Sequence, residues 1–319
     1  MRMETNNQPY AIEIQGLTRR FGPTLALTNL SFAIPCGVIA GFVGPNGSGK
    51  TTTMRILATL LKQDSGRAMV LGYDTREAST VRDVRHAIGF MPDYFGLYTD
   101  MTAGEYLDFF GAAYRIPTDK RIGLVSDILA LVNLTDKRDT LIAGLSRGMQ
   151  QKLSLGRALI HSPQLLLLDE PASGLDPRAR IELMELLREL KAMGKTIFIS
   201  SHILSELHNL CDMVVIIEKG NLVFSGSLAD ASDGVMEGRR FIELTVSSDP
   251  DVAVEALKLL PGVKGIRRKE RLLLIDHDQN LIAADIIEAC VKQGIRLDEV
   301  KRGSANLEEV FMRMTGREE

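Results

Sequence analysis

A chain of 319 residues with 45% hydrophobic content is long enough for two domains of roughly 150 residues each, both with sizeable cores. Its 38 basic residues against 41 acidic ones leave a formal charge of −3, without the clustered basic excess that a nucleic-acid partner usually brings. No apolar run approaches the ~20 residues of a membrane-spanning helix, the N-terminus is polar with no signal-peptide core, and Cys36, Cys211 and Cys290 lack metal-ligand spacing; a reduced cytosolic setting is expected, with the cysteines as small core residues.

The apolar run Val38 to Val43 predicts a buried strand, and Met54 to Leu60 predicts a helix. Between them stand Gly44-Pro45-Asn46-Gly47-Ser48-Gly49-Lys50-Thr51-Thr52. This is a phosphate-binding loop in a strand-loop-helix setting. Gly44, Gly47 and Gly49 let the backbone curl so that N–H groups point at phosphate oxygens, while the helix directs its positive end at them. Lys50 can reach the β- and γ-phosphates, and the Thr51 hydroxyl can ligate Mg²⁺.

From about Thr102 to Ser162 the pattern turns helical. Thr102 with Glu105 makes a capping box ahead of Tyr106, Leu107, Phe109 and Phe110, whose aromatics read as core, and Ile122, Val125, Ile128, Leu129 and Val132 form a helical stripe. Ser146 reads as the N-cap of a helix running through Leu153, Leu155, Ala158 and Leu159, so it presents a hydroxyl and free N–H groups to an anion.

Leu165 to Leu168 is a short apolar strand ending in Asp169 and Glu170, which suits a buried parallel strand that delivers acids at its carboxyl end. Adjacent strand residues point to opposite faces, so the two acids have different work. Asp169 is placed to hold Mg²⁺ through its water shell, and Glu170 to polarise the water that attacks a γ-phosphate. A β-branched run, Thr196 to Ser201, precedes His202, and a further strand lies near Val214. Together these elements predict an α/β fold: a P-loop core with a mainly parallel sheet and a helical lobe at about 94–162.

Leu145-Ser146-Arg147-Gly148-Met149 resembles the LSGGQ signature motif of the ATP-binding subunits of ABC transporters. Arg147 and Met149 depart from that motif, whereas Ser146 and Gly148 keep it; the LSRGM form is similar to that of exporter-type ATPases of drug, antibiotic or polysaccharide systems. The resemblance implies ATP and Mg²⁺ as ligands, and a pair of nucleotides sandwiched between two subunits, with Ser146 and Gly148 facing the γ-phosphate held by the other protomer. It likewise implies a D-loop at Ser173-Gly174-Leu175-Asp176, a switch histidine at His202 that contacts the γ-phosphate, and an adenine-stacking aromatic at Phe21. Asp93 occupies the position of the Q-loop glutamine, as a metal-sensing or coupling residue. The implied partners are a multi-span membrane permease and a second ATPase subunit, in a homodimer or a heterodimer with a paralogue; the implied location is cytoplasmic, peripheral on the inner face of the membrane.

The first domain is expected to span 1–232, followed by a small polar linker at Asp230 to Gly238 and a second domain at 239–319. Strand Phe241 to Val246, helix Val252 to Leu260, strand pieces near Val263 and Arg271 to Ile275, helix Leu281 to Lys292 and a strand near Ile295 to Val300 give a β-α-β-β-α-β order compatible with a small ferredoxin-like module. A closing helix is expected at Asn306 to Met314, a stretch that also resembles the tail of exporter-type ABC ATPases. Dimer stabilisation or regulation is the expected role of this module, with an inert packing domain as the alternative. The alternative function, a soluble ABC clamp on ribosomes or DNA, fits less well with one phosphate loop and no long heptad run.

Overall fold

The computed structural model describes residues 10–94, 96–203, 207, 210–228, 240–278 and 281–303. Contacts divide the chain into two compact units, Met1–Leu228 and Ala229–Glu319. The linker and the closing helix expected from the sequence lie outside the described residues.

In the first unit, β1 (Tyr10–Phe21), β2 (Thr24–Pro35), β4 (Ser65–Val70) and β5 (Tyr73–Asp74) form an antiparallel sheet in the order β2-β1-β4-β5. A second sheet carries the chemistry. Its six strands run β10 (Asn221–Ser227), β9 (Met213–Glu218), β3 (Ile39–Val43), β8 (Thr196–Ser201), β7 (Leu165–Leu168) and β6 (Ile88–Met91), all parallel except β10 at the edge. Every residue of β3, β7 and β8 is buried, as expected of parallel strands covered on both faces. Because β8 lies between β3 and β7, with Val43 opposite Ser201 and Leu168 opposite Ile199, the three carboxyl ends emerge side by side. In open sheets of this kind ligands bind beyond those ends.

Helix α1 (Lys50–Leu57) starts earlier than the apolar run suggests, because Gly49 at φ 110 is its N-cap, and it stops short of Leu60, where Thr59 turns to φ 59. Helix α2 (Val81–Ala87) leads into β6. The helical lobe contains α3 (Ala103–Ala113), whose capping box pairs Thr102 with Glu105 in both directions, α4 (Thr118–Leu131), and α5 (Arg147–Leu159), N-capped by Ser146. Its apolar pattern is only partly inward. Tyr106 and Leu107 are fully buried, but Phe109 is 45% and Ile122 63% exposed, because the buried stripe of α3 runs Ala103, Tyr106, Leu107, Gly111 and leaves Phe109 outside it. Cys36 is likewise exposed, while Cys211 and Cys290 are buried. Helix α6 (Pro177–Ala192) is capped by Asp176, with Pro177 in its first turn.

The described residues of the second unit form one antiparallel sheet with two helices. Strand β11 (Arg240–Val246), helix α7 (Pro250–Lys258), strands β12 (Val263–Lys269) and β13 (Leu272–His277), helix α8 (Ala283–Lys292) and strand β14 (Leu297–Gly303) follow one another, with strand order β12-β13-β11-β14. This is a ferredoxin-like arrangement. Its core joins alternate residues of the sheet, Ile242, Leu244, Leu273 and Ile275, to Ala253 and Leu257 of α7 and Ile286 and Cys290 of α8.

Candidate active site

The loop after β3 closes tightly on its surroundings. A Cβ on Gly44 would lie 2.3 Å from the Ile217 carbonyl oxygen, so only glycine lets the strand pass there. Gly47 and Gly49 take φ 79 and φ 110, which turns the chain into α1, and the Gly220 amide anchors it by donating to the Ser48 carbonyl at 2.9 Å. N–H groups in the first turn of a helix have no helical partner. Within this curl the Ser48 hydroxyl is buried with no partner among the described residues, and Lys50, 6% exposed, donates to the Gly44 carbonyl at 2.6 Å. The loop is a concave array of donors with an ammonium at its mouth, fit for phosphate oxygens.

Strand β7 brings the two acids to opposite sides of the chain. Asp169 is 1% exposed and accepts from the Ser200 hydroxyl at 2.7 Å; that hydroxyl in turn accepts from the Glu170 amide at 2.9 Å. Burial pushes the Asp169 carboxyl up, more than hydrogen bonds from Ser200 and Thr51 pull it down, and the charges of Glu170 and Asp93 push in the same direction as burial. Glu170 stands at φ 49, left-handed backbone that few non-glycine residues adopt. Its Oε2 lies 2.8 Å from His202 Nδ1 and its Oε1 3.4 Å from Lys50 Nζ. Carboxylate, imidazole and ammonium therefore meet at one point.

They meet in a cleft of about 470 Å³ lined by Phe21, Ala26, Asn46 to Thr52, Asp93, Glu170, Ser173 and His202. Of the residues expected from the sequence, Gly44 lies behind the loop and Asp169 beneath it, each joined to a lining residue by the contacts above. Pro45 also stands behind, its carbonyl 3.4 Å from Lys50 Nζ. Phe21 is 46% exposed at one end, and the Arg19 guanidinium stands 4.8 Å from its ring centroid. Ser146 and Gly148 are not among the lining residues. Ser146 Oγ accepts from the Met149 amide at 3.3 Å, and Gly148 faces Leu175 and Ala179.

Comparison with known proteins narrows what such a cleft is for. The chain is 35% identical over 308 residues to the Nod factor export ATP-binding protein I of Burkholderia lata, covering 96% of this chain and 97% of that protein. It is 30% identical over 310 residues to a linearmycin resistance ATP-binding protein of Bacillus subtilis, covering 96% and 98%. The chain belongs to the ABC transporter family. The family's own model, described as ABC transporter, matches residues 27–173. Among solved structures, cbiO1 from Clostridium perfringens, part of the ABC transporter complex cbiONQ, is 25% identical with a TM-score of 0.65, covering 72% of this chain and 94% of that one. A dimeric ATP-binding cassette in a post-hydrolysis state with ADP and Pi shares the fold at 24% identity and a TM-score of 0.62.

Membership makes this chain an ATPase that binds nucleotide. No helix among the described residues is long and apolar enough to cross a membrane. Two functional residues escaped the sequence patterns. Ser200 joins both acids, and its signal was a hydroxyl at the carboxyl end of a strand too buried to leave a polar group without a partner. Arg19 over Phe21 had none, since its place is set by an ion pair with Asp64, 45 residues on, at 2.7 Å.

Proposed function

We propose that this protein is the ATP-hydrolysing subunit of an ABC exporter, working as a homodimer or beside a paralogous subunit, on the cytoplasmic face of a membrane and bound to a multi-span permease. The observation that carries this reading is the convergence of Lys50, Glu170 and His202 on the mouth of the phosphate loop. The names of the curated relatives, Nod factor export and linearmycin resistance, support export of a small molecule.

Adenine stacks on Phe21, and Arg19 extends that surface. Amides between Asn46 and Thr52 hold the phosphates, and Lys50 leaves its loop carbonyls for the β- and γ-phosphate oxygens. Thr51 and Asp169 suit Mg²⁺: their side chains share a hydrogen bond, Asp169 is a carboxylate whose burial disfavours its unpaired charge, and two protein oxygens match an ion that would keep its waters and take phosphate oxygens as further ligands. Mg²⁺ bound there neutralises charge on the β- and γ-phosphates. Asp93 adds an oxygen and a negative charge at the same edge, as a metal-sensing or coupling residue.

Glu170 accepts a proton as water oxygen bonds to the γ-phosphorus and the bond to the β-phosphate oxygen breaks, giving ADP and phosphate. His202 holds the Glu170 carboxylate and points it at that water. Ser146 and Gly148 complete the site of the partner subunit: the N-terminal end of α5 meets the γ-phosphate on the opposite loop, and two nucleotides close the dimer.

The test is affinity purification of the Glu170→Gln protein from its source cells with MgATP in mild detergent. Recovery of a multi-span membrane protein is the expected result. Ribosomal or DNA-associated proteins in its place would move the clamp to a different task.

A further inference from the structure

The signature stretch departs from LSGGQ at Arg147, and that side chain has a specific place. Gly174 takes φ 71, and a Cβ built on it would stand 2.7 Å from Arg147 Cζ and 2.9 Å from both Nε and Nη2. Three guanidinium atoms at nearly one distance put the plane of the group against the glycine. A side chain at 174 would have to push the guanidinium aside and adopt a φ that favours glycine.

The contact continues along both helices. A Cβ built on Gly148 would lie in ordinary contact with Leu175 Cδ2 at 3.5 Å and Ala179 Cβ at 3.4 Å, and Lys152 pairs with Glu182 at 2.6 Å, so the start of α5 packs along residues 174–182. That segment grows directly out of the catalytic turn. Ser173, which lines the nucleotide cleft, donates its amide to the Glu170 carbonyl at 3.0 Å. Glu170 itself sits at φ 49, a conformation that persists only where the surroundings hold it.

We propose that Arg147 is a positioning residue for ATP hydrolysis: lying on Gly174, it holds the turn 170–174 so that Glu170 stays aimed at its water, and it ties the Ser146 helix end to this chain's own base. The inference rests on Glu170 being that base. Arg147 does not line this chain's own nucleotide cleft, so its hold on the turn 170–174 acts on the rate of the bound state rather than on binding of nucleotide to this chain's phosphate loop. A planar guanidinium suits the role, because it can lie face-on over a backbone where an ammonium makes only a point contact.

The experiment uses the full chain and measures kcat, KM and equilibrium MgATP affinity for Arg147→Ala, Arg147→Lys, Gly174→Ala, the Arg147→Ala/Gly174→Ala pair and Glu170→Gln. Displacement of a catalytic group by part of an ångström costs about ten-fold or more in rate, so Arg147→Ala should lose about ten-fold in kcat and keep nucleotide affinity within about two-fold. Arg147→Lys should recover part of the loss. Gly174→Ala should cost less in the Arg147→Ala background than in the wild type, since the group it collides with is gone. Wild-type kcat in Arg147→Ala, equal losses of kcat and affinity, or strict additivity of the pair would overturn the proposal. Wild-type turnover by Glu170→Gln would instead remove the assignment of the base, and the inference with it.

Discussion

Ser200 and Asp169 share a hydrogen bond of 2.7 Å inside the sheet, and the same Ser200 hydroxyl takes the Glu170 amide proton at 2.9 Å. One strand-end hydroxyl thereby fixes both acids that follow β7, the buried Asp169 through its carboxylate and the partly buried Glu170 through its backbone. Ser200→Ala removes both bonds at once and leaves a buried amide unpaired, which costs about 1–3 kcal/mol. We expect kcat to fall by about ten-fold or more as Glu170 loosens from φ 49, with a lower melting temperature. Unchanged kcat in steady-state assays would show that the Glu170 turn holds itself.

Asp169 illustrates stability given up for function. Its carboxyl is raised by burial, so just above the ordinary carboxylate range the folded chain binds a proton that the unfolded chain has lost, and stability falls as pH rises through that window. Asp169→Asn removes the buried charge and keeps the shape. Thermal melts at pH 7 without nucleotide should show a gain of about 2 °C, and MgATP hydrolysis should be lost. A variant that melts lower than the wild type would contradict this account of the site.

The glycines of the phosphate loop separate sterics from backbone strain. Gly44→Ala drives a methyl group to within 2.3 Å of the Ile217 carbonyl, whereas at Gly47 nothing lies within 4 Å and only φ 79 opposes a side chain. Strain of the second kind costs about 1 kcal/mol. Nucleotide titrations should find Gly44→Ala nearly unable to bind ATP and Gly47→Ala weakened by about ten-fold or less.

How much of this was open to a reader of the sequence depended on where the information lay. The phosphate loop and Glu170 were expected from short local patterns and His202 from the family resemblance, and the structure gathers all three at one cleft; the order of elements in the second unit followed from apolar alternation and turn residues. Ser200 was not, because its role exists only once β8 is inserted between β3 and β7. Phe109 and Ile122 looked like core because a helical stripe reports one face, not how far the neighbouring helices cover it. Arg147 read as a mere departure until Gly174 came to rest beneath it.

His161 gives the fold an acid-sensitive joint. It stacks on Tyr114 at 3.8 Å and donates from Nε2 to the Ile88 carbonyl at 2.8 Å, and burial lowers its pKa from 6.5 to about 4. Between pH 6.5 and about 4 the unfolded chain takes up a proton that the folded chain refuses, so stability falls as pH falls across that window. His161→Phe keeps the stack and loses the hydrogen bond, at about 1 kcal/mol near neutral pH. Melting temperatures from pH 7 to 5 should decline less steeply in the variant than in the wild type; parallel curves would assign the acid sensitivity elsewhere.

The most direct test of the account is a paired measurement on Glu170→Gln: single-turnover hydrolysis of ATP, and association state by sedimentation with and without MgATP. The amide keeps the shape of the side chain and gives up the base, so turnover should drop by at least about a hundred-fold while MgATP still binds and draws two copies together. Hydrolysis at the wild-type rate would contradict the assignment of Glu170 as the base on which this reading of the site stands.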